Sequence, residues 1–214
     1  MPTVMVIGDA ATTTSVALAA TRRGRVELVE ADERGGSLPA WWGIDPTART
    51  AHVLGREIDV RLLPHHPAEA AHLLGLAEPV SAADELRVVD GGLPVHHPER
   101  QAWIAVTDVA LIVIRQGWGT PRMVARRVER GAHLASRLIQ AVPSVVVAVI
   151  GGAPFRPSDI GMHVFAGAGS DATVIALPED PQAATMIADP AAVGERRWGR
   201  TALARALGSW EPPL

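Results

Sequence analysis

Apolar and polar positions along this chain fall into two alternating rhythms. Continuous apolar runs rich in β-branched residues occur at Val4-Met5-Val6-Ile7, from Val109 to Ile114, from Val145 to Ile150 and from Thr173 to Leu177. Runs of this kind suit the strands of a parallel sheet covered on both faces. Val26 to Glu30 and Leu86 to Val89 read as two further strands. Thr50 to Leu54 and Ile58 to Leu63 alternate about Gly55-Arg56, the pattern of a hairpin. Between these runs the period changes. Val16 to Ala20 is an Ala-rich helix, Glu69 to Leu74 is helical in pattern, and Thr120-Pro121 supplies an N-cap and a first-turn proline for a longer helix. The apolar face of that helix is Val124, Val128, Ala135, Leu138, Ile139 and Val142. A last helix is predicted from about Ala202 to Trp210, with Leu203, Ala206, Leu207 and Trp210 on one face and Trp198 pointing away from it. This stripe is short, so the helix is expected to dock on the domain and not to insert into a membrane. Alternating strands and helices predict an α/β fold, a mostly parallel central sheet flanked by helices on both faces. With no repeat and no low-complexity linker, one domain is expected over residues 1–214.

Composition narrows the function classes. The 214 residues are 48% hydrophobic, enough to bury a full core. A net charge of −3 argues against a generally basic nucleic-acid binder but leaves room for a local patch. There is no cysteine, hence no disulfide, thiolate chemistry or Cys-based metal site. No basic start followed by a long apolar run suggests a leader or a transmembrane helix, so a cytoplasmic protein is expected, peripheral to a membrane only through its partners. Every basic residue is arginine; lysine is absent.

That absence bears on the first strand. Gly8-Asp9-Ala10-Ala11-Thr12-Thr13-Thr14-Ser15 follows it and opens the Ala-rich helix, the layout of a loop that holds phosphate by backbone N–H groups at a helix N-terminus. A working loop of this kind adds a lysine and glycines where the backbone must approach the anion. Here Thr12 stands at the lysine position and Asp9 and Ala11 at glycine positions. Asp9 would repel polyphosphate unless Mg²⁺ or an arginine intervenes. Two other strand ends are acidic: Glu30-Ala31-Asp32 and Asp90-Gly91-Gly92-Leu93-Pro94, where open α/β sheets put ligands. Trp41 and Trp42 are read as one core residue and one groove cover. His65, His66, His72, His96 and His97 lack the carboxylate pattern or HExxH spacing of a metal site, so no metal is expected. On the helix from Thr120, Arg122, Arg126, Arg130, His133 and Arg137 recur at three- and four-residue steps and form a basic line, with Arg127 close by and Glu129 the sole carboxylate of the stretch.

Together these segments resemble the ParA/MinD-like, deviant Walker A branch of P-loop ATPases over nearly the whole chain, and look especially like short actinobacterial CpaE/TadZ-like members. Gly8 to Ser15 lies where the deviant P-loop sits, Thr13-Thr14 matching its terminal Thr pair. Glu30-Ala31-Asp32 resembles the Asp-x-Asp segment, Asp90 to Pro94 the Walker B and switch II region, and Leu177-Pro178-Glu179-Asp180 the late loop over the adenine. Both lysine positions, the loop glycines, the first Asp and a base-reading Asn, whose place is taken by Val149-Ile150-Gly151-Gly152, depart from the family pattern. The resemblance implies a degenerate nucleotide site, with Gly8, Asp9, Ala10, Ala11, Thr12, Thr13, Thr14, Pro178 and Asp180 as its vestige and Asp32 and Asp90 as non-functional catalytic remnants. It implies a pseudo-ATPase that localises or scaffolds a larger assembly through protein partners, with no cofactor. The alternatives are an ATP- and Mg²⁺-dependent positioning switch, and a binder that uses the arginine line for DNA or an acidic protein. A homodimer is compatible with each, and DNA ranks below a protein partner.

Overall fold

The computed structural model describes residues 1–31, 38, 49–62, 85–92, 103–166, 173–189 and 193–213. Eight strands form one sheet: β1 (Thr3–Gly8), β2 (Arg25–Glu30), β3 (Thr50–Val53), β4 (Arg56–Leu62), β5 (Glu85–Asp90), β6 (Val109–Arg115), β7 (Ser144–Ile150) and β8 (Thr173–Leu177). Their spatial order is β3-β4-β2-β5-β1-β6-β7-β8. All neighbours pair in parallel except β3 and β4, the antiparallel hairpin at one edge. The described helices are α1 (Ala11–Thr21), α2 (Pro121–Leu138), α3 (Pro157–Phe165), α4 (Pro181–Ala188), α5 (Glu195–Trp198) and α6 (Ala202–Ser209).

The long apolar runs form the middle of the sheet because each side of such a strand must be covered. Val4, Val6, Leu28, Val88, Leu111 and Val146 face a layer made by α1, α4 and the C-terminal helices. Met5, Ile7, Val29, Ile112, Ile114 and Val147 face α2 and α3. Helices on both faces of a mostly parallel sheet agree with the layering expected from the alternation of patterns.

Helix α1 is buried around most of its circumference: Ala11 and every residue from Thr14 to Ala20 are inaccessible. A helix that is apolar on all sides needs a second cover beyond the sheet. That cover is the C-terminal segment. Leu203, Leu207 and Trp210 bury against the same core, as does Trp198, which contrary to expectation points inward. It turns inward because its indole N–H has a partner on α1, donating to Thr21 Oγ1 at 3.2 Å. Arg22, just past α1, donates to the carbonyls of Leu207 and Trp210 and lies over the Trp210 ring.

Two further features were not legible in the apolar pattern. α3 and α4 each begin with a first-turn proline, a start signal that went unread because neither segment carries a long apolar stripe. The hairpin turn sits on Leu54-Gly55, one position earlier than expected, with Leu54 at φ 53° and Gly55 at φ 83°. A leucine in the left-handed region costs about 1–2 kcal/mol, and complete burial of Leu54 offsets that. Gly55 has no such freedom, since a Cβ there would collide with the backbone nitrogen of Glu195. The pattern at Glu69 to Leu74, Asp32, Trp41, Trp42, His65, His66, His72, His96 and His97 all lie outside the described residues. Among the described residues no group of side chains could hold a metal, and no helix is long and apolar enough to cross a membrane.

Candidate functional site

Strand β1 lies between β5 and β6, and the chain leaves it toward β2 on one side and later returns to β6 on the other. Open α/β sheets bind ligands at such a reversal, outside the carboxyl ends of the strands. Backbone hydrogen bonds stitch those ends into a row. The amide of Ala31 donates to Asp90 O at 2.8 Å, Gly91 to Val6 O at 2.9 Å, Gly8 to Gly92 O at 2.9 Å and Asp9 to Val113 O at 3.0 Å. Gly8 is at φ 119° and packs so tightly on the Val113 carbonyl that a Cβ would collide with it.

The loop then turns through Ala10, which adopts a left-handed conformation (φ 61°, ψ 29°) and offers no side-chain cap to α1. The amides of Ala11, Thr12 and Thr13 consequently make no hydrogen bond to the described residues, the first helical bond being Thr14 N–H to Ala10 O. Thr12 and Thr13 are half-buried, and Thr14 is fully buried. The helix start has the outline of an anion cradle without a cation in its lysine position.

Asp9 changes what the loop can hold. Its carboxylate lies 3.5 Å from Arg127 Nε and 3.6 Å from an Arg130 terminal nitrogen, both on α2. Burial pushes the Asp9 carboxyl above its usual range, and the two guanidinium groups with the Arg115 backbone amide pull it back only in part. An arginine does intervene beside the aspartate, but it neutralises the loop's own carboxylate. Arg127 is committed further, donating to the carbonyls of Arg115 and Trp118 at 2.8 and 2.6 Å. Among the described residues the loop does not fit a magnesium-bound polyphosphate: it carries a half-buried acid, and the two arginines that reach it, Arg127 and Arg130, are already paired with that acid.

The remaining strand ends carry structural hydrogen bonds. Asp90 is fully buried and accepts the amide of Gly92 at 3.1 Å. Glu30, at the first Asp position of the Asp-x-Asp segment, is buried and accepts the amide of Leu38 at 3.0 Å. At the late loop, Asp180 caps α4 and also receives the first amides of α6, whose own N-cap is Thr201. One oxygen accepts Ala183 N–H of α4 at 2.9 Å, and the other accepts Ala202 and Leu203 N–H of α6 at 2.8 and 3.2 Å. Burial works to raise its pKa, but the amides of Ala183, Leu203, Ala202 and Gln182 outweigh it and hold the carboxyl below the usual range. Pro178, half-buried, precedes this cap.

A cluster that sequence reasoning missed lies between β6, β7 and the late loop. Arg115 pairs with Glu179, and its guanidinium stacks 3.8 Å from the centre of the Trp118 ring. Gln116, fully buried, donates to Gly151 O and Phe155 O and accepts from Phe155 N–H. The only available signal was Gln116 directly after an apolar run, where a buried amide must find backbone partners. On α2, Arg122, Arg126, His133 and Arg137 lie on the exposed side with Arg130, so the line stays together while Arg130 bends toward Asp9.

No family model and no curated protein matches the chain. Solved structures do. A ParA family ATPase from Chlorobium tepidum superposes with a TM-score of 0.67 at 12% identity, covering 98% of this chain and 96% of its own. Apo McdA from Cyanothece gives 0.62 at 15% identity, covering 97% and 96%. MinD, a cell division protein from Aquifex aeolicus, gives 0.60 at 16% identity, covering 100% and 99%. At these identities the likeness shows the fold: the chain has the α/β architecture of ParA- and MinD-type P-loop ATPases.

Proposed function

We propose that this protein is a catalytically degenerate ParA/MinD-like factor that localises or scaffolds a larger assembly through protein contacts and does not turn over ATP. The observation that carries this reading is the pairing of Asp9 with Arg127 and Arg130 in a loop that has Thr12 in place of lysine. Phosphoryl transfer depends on preorganised positive charge at the transferred group, and a chain without lysine has only arginine to supply it. Solved neighbours of this fold include a MinD bound to MinC, which supports a fold able to work by protein association. The partner side of this chain is then the arginine line Arg122, Arg126, Arg130, His133 and Arg137.

Calorimetry with ATP and Mg²⁺ tests the reading. No binding tighter than roughly millimolar, about −4 kcal/mol, is expected. Micromolar affinity in the wild-type protein, or hydrolysis above a buffer blank that is abolished by Asp90→Ala, would overturn it. The triple change Asp9→Gly, Ala11→Gly and Thr12→Lys is expected to gain affinity. A second reading, an ATP-dependent positioning switch, draws support from the three open amides at Ala11, Thr12 and Thr13. It requires backbone groups alone to hold the nucleotide against Asp9.

A further inference from the structure

Next to the arginine line stands a patch that the scaffold reading does not account for. Trp118 is 63% exposed and Met123, in the first turn of α2, is 50% exposed. Large apolar side chains in this position cost solvation, and when rimmed by polar groups they mark interaction sites. The indole is also held. Its inner face is taken by the Arg115 guanidinium, which is anchored in turn by Glu179. Arg127 reaches back from α2 to the carbonyls of Arg115 and Trp118, tying the backbone on which the indole stands. Met123 packs against Gly119, which at φ 115° closes the loop onto the helix. Arg122 and Arg126 flank Met123, are exposed, and make no ion pair among the described residues.

Trp, Met and Arg are the side chains most enriched where proteins bind one another, and a side chain already fixed loses little freedom on binding. The charge on this face is positive, with Glu129 the sole carboxylate of α2. The partner it complements is acidic. DNA would satisfy the arginines but leave Met123 and the open face of the indole without a matching group along a sugar–phosphate backbone. We propose that Trp118, Met123, Arg122 and Arg126 form a docking surface for an acidic protein segment carrying one large apolar residue. That residue packs on the open face of the indole and on Met123, and the flanking carboxylates pair with the arginines. The proposal deepens the scaffold reading by naming the chemistry of its partner, and it does not depend on whether ATP binds.

Fluorescence anisotropy with two labelled peptide sets tests it on the full chain. Both sets consist of Asp/Glu-rich sequences, one with a central Phe, Leu or Trp and the other with Ser at that place. The apolar-centred set is expected to bind about tenfold tighter, equivalent to about 1.4 kcal/mol. Trp118→Ala should erase that difference and Trp118→Phe should restore most of it, while Arg126→Glu should weaken both sets. Circular dichroism of each variant checks that it is folded. Equal affinity for the two sets overturns the proposal, as does duplex DNA binding more tightly than either set with no sensitivity to Trp118→Ala. Self-association that is lost on Trp118→Ala also overturns it, by assigning the patch to a second copy of the chain. Micromolar ATP binding would defeat the scaffold reading and leave these outcomes unaffected.

Discussion

Asp180 joins two helix starts through one carboxylate: its substitution removes the cap of α4 and two further amide bonds of α6, which keeps its own cap at Thr201. Loss of a cap costs about 1 kcal/mol, and Asp180→Ala is expected to destabilise the protein by about 1–2 kcal/mol, the excess over one cap coming from the α6 amides, read by urea denaturation at neutral pH. Its folded pKa is depressed, so its contribution is complete above the unfolded value near 4 and is lost as pH falls through the lower, folded pKa. The cost of Asp180→Ala should therefore shrink in acid; a pH-independent cost would contradict the capping account. Asp9 has the opposite sign. Its folded pKa is raised, chiefly by burial, so the ionised carboxylate weakens the fold at neutral pH and protonation relieves it. Asp9→Asn is expected to raise the thermal midpoint at pH 7 by about 1–3 °C, with the gain vanishing toward pH 3; a lowered midpoint at pH 7 would mean the arginine pairs outweigh burial. The strand–turn–helix layout around Asp9 and Thr12 was legible in the sequence because a loop motif is local. The convergence of Arg127 and Arg130 on Asp9 was not, because more than a hundred residues separate them and helical periodicity shows a side of a helix, not what faces it. Asp180 likewise reads as a loop residue until α6 is seen against it.

At the scale of elements, α2 combines a buried face fixed by Val124, Val128, Gly131, Ala135 and Leu138 with an outer basic line. Reversal of Arg126 and Arg130 to Glu should abolish capture of an acidic partner or of DNA phosphates while barely moving the thermal midpoint. The Arg130–Asp9 pair it breaks is long, at 3.6 Å, and exposed on the arginine side, worth no more than about 1 kcal/mol. If capture survives both reversals, the line is only a solvated face. The start of α2 at Thr120-Pro121 and the stripe of Val124, Val128, Ala135 and Leu138 were legible because cap, proline and 3.6-residue period coincide there, whereas Ile139 and Val142, expected on the same face, lie past the end of the helix. α3 and α4 were not, since neither carries an apolar stripe like that of α6, which is as short but was legible. The hairpin was legible from alternation about Gly55, although the αL leucine beside it was not, because only burial of Leu54 in the C-terminal layer makes that conformation tolerable. Gly55→Ala should lower stability by several kcal/mol through collision with Glu195 and strain at positive φ, seen as a fall in thermal midpoint.

For the whole molecule, the sheet is completed only at β8 (Thr173–Leu177), and α1 is sealed by the segments that follow it, α4 and residues 198 to 210. Deleting residues after Glu195 removes Trp198, Leu203, Leu207 and Trp210 from the core and the anchors of Arg22. The truncated protein is expected to lose its cooperative thermal transition and to bind a hydrophobic dye. The intact protein should not float with anionic liposomes, and flotation that depends on these residues would show that the last helix leaves the domain. The same arrangement sets the order of events during synthesis. α1 leaves the ribosome well before the side chains that complete the cover of its outer face, which follow at positions 183 to 210. Throughout that interval the nascent chain carries an uncovered apolar helix, the kind of surface that chaperones hold, and commitment to the native state waits on the last turn of α6.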